Sequence, residues 1–256
     1  MNRIDALFST KESNILSVFF TAGYPRRDTT VEIAHALQLA GVDLIEIGMP
    51  FSDPMADGPI IQHSSKVALE NGITIELLFS QLETLRAKVA IPVVLMGYFN
   101  PVLKFGVERF LKRCQECGVD GVIIPDMPLD VFDAQYAEAF SQYGIYNILL
   151  ATPTAEPARI EMLAKQSQGF IYMVSSGVTT GGTLDAKRFE QLRTATSIAN
   201  RYKPLLVGFG VSNHQDFDVA AQYGRGAVVG SAFVKMLEQS DNLTNDIKIF
   251  VKSIVG

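Results

Sequence analysis

Eight short, nearly continuous apolar runs, each followed by a helical stretch, predict an α/β fold for this 256-residue chain. The expected architecture is a TIM (β/α)8 barrel with an extra N-terminal helix. Three observations carry that expectation. The runs lack the polar alternation of a half-exposed strand, so they suit strands buried on both faces of a parallel sheet. A helix–Gly–strand punctuation recurs: "HALQLAGVDLIEIG" (35–48) and "LKRCQECGVDGVII" (111–124) are near copies, and "AEAFSQYGIYNILL" (137–150) and "VAAQYGRGAVVG" (219–230) follow it more loosely. In each, a Gly just past the helix can take the left-handed C-cap conformation. Finally, no Gly/Ser linker or low-complexity segment divides the chain, so residues 1–256 read as one domain.

The elements follow in order. Met1 to Glu12 mixes charged and apolar residues and lacks a signal-peptide apolar core, so it reads as a short helix. The strands are expected at Leu16–Thr21, Leu44–Gly48, Val93–Gly97, Gly121–Pro125, Asn147–Ala151, Phe170–Ser175, Leu205–Phe209 and Ala227–Gly230. The helices are expected at 28–40, 60–70 with 74–88, 107–117, 130–143, 156–167, 185–199, 213–223, and 231–238 with 243–254. The alternative is a doubly wound open sheet. That fold usually has fewer strands, and its nucleotide-binding forms carry G-x-G-x-x-G after the first strand. Here the first strand runs into "TAGYPRRD".

Composition narrows the function classes. The net charge is −5 and the pI about 5.3, with no basic stripe for nucleic acid. No run of 18 apolar residues occurs, so no membrane span is expected. The two cysteines, Cys114 and Cys117, form a C-x-x-C pair. A zinc site needs four ligands, and His63 and His214 lie far off in sequence. Both cysteines fall late in a helical stretch and read as packed thiols in a reducing cytoplasm.

In a barrel the chemistry sits at the C-terminal ends of the strands. That makes Glu46, inside "LIEIG", the first candidate. Side chains alternate across a strand, so with Ile45 and Ile47 facing helices, Leu44, Glu46 and Gly48 face the barrel interior. A carboxylate there is costly unless paired or protonated. None of the eight strands carries a Lys or Arg to pair with it, so a structural ion pair is disfavoured. Burial should raise its pKa toward neutrality, which suits a group that gives and takes protons. Asp53 and Asp57 follow in "PFSDPMADGP". Asp53 alone reads equally well as a solvated turn residue. Asp57 is flanked by small residues in "MADGP"; as a second acid near Glu46 it could bind a substrate N–H, and a loop this long could close as a lid.

Gly-rich turns follow strands six, seven and eight: "SSGVTTGGT" (175–183), "GFGVSN" (208–213) and "VGSAF" (229–233). Loops at these positions commonly hold phosphate in barrels. Gly lets backbone N–H groups approach the anion, and the helix dipole at Ser231 favours it. A Schiff-base aldolase needs an inward lysine, which is lacking. The three histidines form no cluster at the strand ends, so no metal site is expected. Phe19, Met96, Tyr98, Ile123, Leu150, Tyr172 and Phe209 lie at or near strand ends and could line a flat apolar slot.

These motifs together, "TAGYP" (21–25), "LIEIG" with "PFSDPMADGPIIQ" (50–62), "GFGVS" (208–212) and "VGSA" (229–232), resemble the tryptophan synthase alpha chain family over essentially the whole chain. The acidic-loop motif is specific, whereas the Gly turns are shared with other phosphate-binding barrels. The resemblance implies a lyase of tryptophan biosynthesis that cleaves indole-3-glycerol phosphate to indole and glyceraldehyde 3-phosphate. It implies that Glu46 carries the proton transfers and that Asp57 holds the indole N–H. Phe19, Met96, Ile123, Leu150 and Tyr172 would sandwich the indole, and Gly181, Gly210, Gly230 and Ser231 would hold the phosphate. It further implies a beta chain partner in an alpha2-beta2 tetramer, met through Asp53, Pro54, Asn100 and Pro128. Pyridoxal phosphate would belong to that partner and not to this chain. One stretch departs from the family pattern S-x-x-G-V-T-G: "SSGVTTGGT" doubles the threonine, so Thr179 or Thr180 could order the lid, with Thr180 preferred because Gly181 follows it.

Rivals are a sugar-phosphate isomerase, an indole-glycerol-phosphate-forming synthase, a subunit that only activates the beta chain, and a free-standing indole-releasing lyase. The synthase should carry inward lysines. A non-catalytic subunit should have lost Glu46 or Asp57, and both are present.

Overall fold

Apolar runs become strands here because helices cover their outer faces and a filled barrel covers their inner ones. A computed structural model describes residues 1–174, 186–208 and 210–256, the side chains of 186–188 excepted. The strands are β1 (Ile15–Thr21), β2 (Leu44–Gly48), β3 (Val93–Met96), β4 (Gly121–Ile123), β5 (Tyr146–Asn147), β6 (Leu149–Ala151), β7 (Ile171–Val174), β8 (Leu205–Gly208) and β9 (Gly226–Val229). They form one parallel sheet in the order β5-β4-β3-β2-β1-β9-β8-β7-β6.

There are nine strands among the described residues, not eight, because the fifth run is interrupted at Ile148. Side chains take over the ladder at this point. The Asn147 amide donates to Gln168 Oε1 at 2.8 Å and the Leu149 amide to Ser167 Oγ at 2.9 Å. The two outermost strands of the sheet, β5 and β6, are thus consecutive pieces of one run. The Ile148 amide still donates to the Val122 carbonyl at 2.9 Å, and the sheet closes on itself as a barrel.

The helices are α1 (Arg3–Thr10), α2 (Thr30–Leu39), α3 (Pro59–Glu70), α4 (Ile75–Leu82), α5 (Phe99–Phe105), α6 (Val107–Cys117), α7 (Leu129–Val131), α8 (Ala137–Tyr143), α9 (Pro157–Gln166), α10 (Ala186–Ala199), α11 (His214–Ala221), α12 (Ser231–Glu238) and α13 (Leu243–Val255). A π-helical turn, Phe132–Tyr136, joins α7 to α8. Helix α5 has no counterpart in the sequence-based expectation. Its stretch, "FNPVLKF", contains Pro101 and is short, and the group that stabilises its start is remote: Asp126 Oδ1 accepts from the Phe99 amide at 2.8 Å. Gly118 and Gly144 cap α6 and α8 in the left-handed conformation, as expected. Gly224 does not. It lies where a Cβ would come within 2.5 Å of the Leu205 carbonyl oxygen, so it serves close packing instead. Cys114 and Cys117 are free, buried thiols on α6, both pushed up by burial.

The barrel interior is filled by Ile15, Leu44, Val94, Ile123, Ile148, Phe170, Leu206 and Val228. Ile45 and Ile47 face the helices in the outer core layer, with Val18 and Phe20. Helix α1 plugs the N-terminal end: Ile4 is fully buried and the Phe8 ring lies 5.6 Å from that of Phe170. Asn2 caps α1 by accepting from the Ile4 amide at 2.9 Å. Buried Asp120 latches the plug through Arg3 at 2.9 Å and also holds Arg86 at 2.7 Å and the Val93 amide at 2.8 Å. With the lower end closed, the site has only the C-terminal end of the strands available.

Candidate active site

Strands β1 and β2 pair with Phe19 opposite Glu46 and Ser17 opposite Leu44. That register places Ser17, Phe19, Leu44, Glu46 and Gly48 on the inner face. Glu46 has no exposed surface. Its neighbour is a hydroxyl and not a cation: Ser17 Oγ donates to Glu46 Oε1 at 2.7 Å. Glu46 Oε2 has no hydrogen-bond partner among the described residues. Burial pushes the carboxyl up to about 7, and the Ser17 bond, the weaker influence, pulls it down. Near neutral pH such a group takes or releases a proton at little cost.

Phe19 lies across Gly48, where a Cβ would come within 2.5 Å of its ring. A larger residue at 48 would displace that wall. At the end of β1, Thr21 Oγ1 shares a 2.6 Å hydrogen bond with buried Ser64 Oγ on α3. This bond ties the strand to the helix that leaves the acidic loop.

The loop after β2 carries Asp53, exposed, and Asp57, half-buried. Tyr98, just beyond β3, clamps it. The Tyr98 hydroxyl donates to Asp57 Oδ2 at 3.1 Å and accepts from the Ala56 amide at 3.0 Å, and its ring lies 5.2 Å from that of Phe51. Burial raises the Asp57 carboxyl above its ordinary value, against the pull of the Tyr98 bond. Tyr172, on β7, links the two acids. Its phenol is held far above the usual range, first by burial and then by the negative charges of Glu46 and Asp57. Gly208 on β8 makes room for it, since a Cβ there would lie 2.5 Å from the Tyr172 hydroxyl.

Met96, Leu150 and Tyr172 keep some exposed surface above the interior cluster, whereas Ile123 has none and lies beneath them. Gly230 precedes α12 and supplies no side-chain cap, so among the described residues the helix start at Ser231 has no capping side chain. Gly210 takes a positive φ of 57°. Thr179, Thr180, Gly181 and Phe209 lie outside the described residues. Asp53, Asn100 and Pro128 are exposed and Pro54 is half-buried. They sit beyond β2, β3 and β4, which are adjacent in the sheet, so they share one sector of the rim. Among the described residues, no three His, Cys, Asp or Glu side chains gather to hold a metal ion, and no helix is long and apolar enough to cross a membrane.

Ser17 is the neighbour of Glu46 that the sequence reading missed. The signal was available: alternation applied to "ILSVFFT" puts a small polar residue inside the barrel, one strand away from Glu46.

A family model described as tryptophan synthase alpha chain matches residues 6–254. The tryptophan synthase alpha chain of Flavobacterium psychrophilum is 47% identical over 99% of this chain and 100% of its own. That of Christiangramia forsetii is 47% identical over 99% of this chain and 98% of its own. Among solved structures, the tryptophan synthase alpha chain of Legionella pneumophila superposes with a TM-score of 0.86 at 29% identity, covering 100% of this chain and 96% of that one.

Proposed function

This chain belongs to the tryptophan synthase alpha chain family, the lyase that cleaves indole-3-glycerol phosphate to indole and glyceraldehyde 3-phosphate in tryptophan biosynthesis, and we propose that Glu46 and Asp57 carry that reaction. The observation behind this reading is a fully buried carboxyl, held at about 7, with no cation beside it among the described residues. Cleavage needs a proton delivered to indole C3 and a proton removed from the side-chain hydroxyl next to the breaking bond. The electron pair of that C–C bond returns to the ring while the hydroxyl carbon becomes the aldehyde. Glu46, poised between its two protonation states, serves both transfers. Protonation at C3 puts positive charge on the ring nitrogen, and Asp57 accepts its N–H and stabilises that charge.

Phe19, Met96, Tyr98, Leu150, Tyr172 and Phe209 enclose the indole, with Ile123 as the layer below. Backbone N–H groups at Gly181, Gly210, Gly230 and Ser231 receive the phosphate, and Thr180 orders the loop over it. Residues 1–256 act as one domain in the cytoplasm. The partner is a beta chain, in an alpha2-beta2 tetramer, docked on the rim sector of Asp53, Pro54, Asn100 and Pro128. Pyridoxal phosphate belongs to that beta chain and is not bound here.

The test is indole release from indole-3-glycerol phosphate by the purified chain, with and without a beta chain, with Glu46→Gln alongside. We expect slow release that the partner accelerates and that Glu46→Gln lowers by about 100-fold or more, the scale of a lost acid–base group. Substantial turnover by Glu46→Gln would remove Glu46 from the mechanism. Fast release that ignores the partner would mark a free-standing lyase.

A further inference from the structure

We infer that Ser17 is a positioning residue that gives the two oxygens of Glu46 different duties: Oε1 is anchored, and Oε2 carries the proton. This rests on the reading of Glu46 as the proton carrier. Both residues lie wholly inside the barrel, and the Ser17 hydroxyl donates to Oε1 at 2.7 Å while Oε2 meets no protein donor or acceptor among the described residues.

The chemistry follows from the hydroxyl's single hydrogen. While it is donated to Oε1, that oxygen is satisfied whether Glu46 is ionised or neutral, provided the carboxyl proton sits on Oε2. A proton on Oε1 would force the hydroxyl to turn and accept. Its hydrogen would then be unpaired in an apolar interior, which is unfavourable. The fixed bond also removes the rotation by which a free carboxyl would exchange its oxygens, so one oxygen stays presented. Register supports the geometry. Ser17 stands two residues before Phe19, the residue paired with Glu46, so the anchor comes from the plugged end of the barrel and not from the mouth. Among the described residues, Phe19 on β1 and Val94 on β3 stand opposite Glu46 in register, and the charges of Glu46 and Asp57 both act on the phenol of Tyr172 on β7. None of these is a cation, and among the described residues only Ser17 hydrogen-bonds the carboxyl.

Substitution of Ser17 tests this. Ser17→Ala keeps the strand and deletes the donor. We expect kcat for indole release to fall by about 10-fold or more while KM changes by less than about 3-fold, as for a group acting on the chemical step. The Glu46 limb of the kcat–pH profile should move to higher pH, because the ionised form loses the hydrogen bond from Ser17 that lowers its pKa. Ser17→Thr, which keeps a hydroxyl on a strand-favouring residue, should restore both kcat and the limb. Should Ser17→Ala fail to fold, Ser17→Cys supplies a weaker donor of similar size and should show the same upward shift in smaller measure. A wild-type profile in the folded Ala or Cys variant overturns the inference, as does lost activity with an unmoved limb and no rescue by Thr. Retained turnover in Glu46→Gln would instead overturn the underlying reading of Glu46, so the two failures are separable.

Discussion

At Glu46 the fold accepts a cost that the proposed chemistry would use. The carboxyl titrates at about 7 when folded and near its ordinary value, about 4.5, when unfolded. Between those values the folded chain binds more protons than the unfolded one, so this residue makes stability fall as pH rises from about 4.5 through about 7. Below that window the residue is neutral in both states and carries no penalty. Above it the penalty is complete, on the order of 3 kcal/mol for a carboxyl displaced that far. Glu46→Gln, uncharged at every pH, should therefore be more stable than the wild type at about pH 8 by up to about 3 kcal/mol and gain little at about pH 4. Urea unfolding of both chains at the two pH values measures this. An equal difference at both would mean that ionised Glu46 is not strained by its burial. A variant that is more stable and inactive is the expected signature of a site built against local stability.

At the scale of elements, the N-terminus of α12 is the feature most open to test. Among the described residues, a Cβ at Gly230 would meet only the Phe19 side chain, at 3.7 Å, which is ordinary contact. Gly230→Asp therefore adds a negative charge where the phosphate is proposed to sit without overcrowding the backbone. It should raise KM for indole-3-glycerol phosphate by roughly 10-fold or more, the size of one charged contact, with a smaller effect on kcat. Steady-state kinetics reads it out, and an unchanged KM would move the phosphate elsewhere. Elements also mark where sequence patterns stop being informative. Helix α5 begins on a carboxylate, Asp126, supplied by the next strand–helix loop, which no local capping rule can see. The fifth run breaks at Ile148 because Gln168 and Ser167, from beyond α9, replace ladder partners.

At the scale of the molecule, the barrel's two ends do different work. The lower end depends on Asp120, which is 3% exposed and joins α1, the turn holding Arg86 and strand β3. Burial lowers the pKa of Arg86, and the charge of Asp120 opposes that shift. Asp120→Ala removes the carboxylate paired with Arg86 and leaves its largely buried guanidinium only the carbonyls of Gly118, Val89 and Ile91, a defect that costs up to about 3–5 kcal/mol. Thermal unfolding should show a fall in Tm of several degrees or more. Indole release per folded molecule at low temperature should hold, because the latch lies at the end opposite the site. Lost activity in a fully folded variant would show that the two ends are coupled.

Local patterns along the chain are enough for the class of fold, the positions of most strands, the inward face of β2 and the acid upon it. Those follow from alternation, continuous apolar runs and the cost of an unpaired buried charge, all of which act over a few residues. The family is legible in the same way, because the acidic-loop motif is local. What touches what is settled only by the folded packing. That the partner of Glu46 is Ser17, that Tyr98 clamps Asp57 by its hydroxyl, and that Tyr172 shares the field of both acids depend on register between strands. The closure of the barrel through a broken fifth strand, and the Asp120 latch that reaches across the chain to Arg3, are of the same kind. Such contacts are fixed by the summed packing of the whole barrel, so no single stretch of sequence carries them.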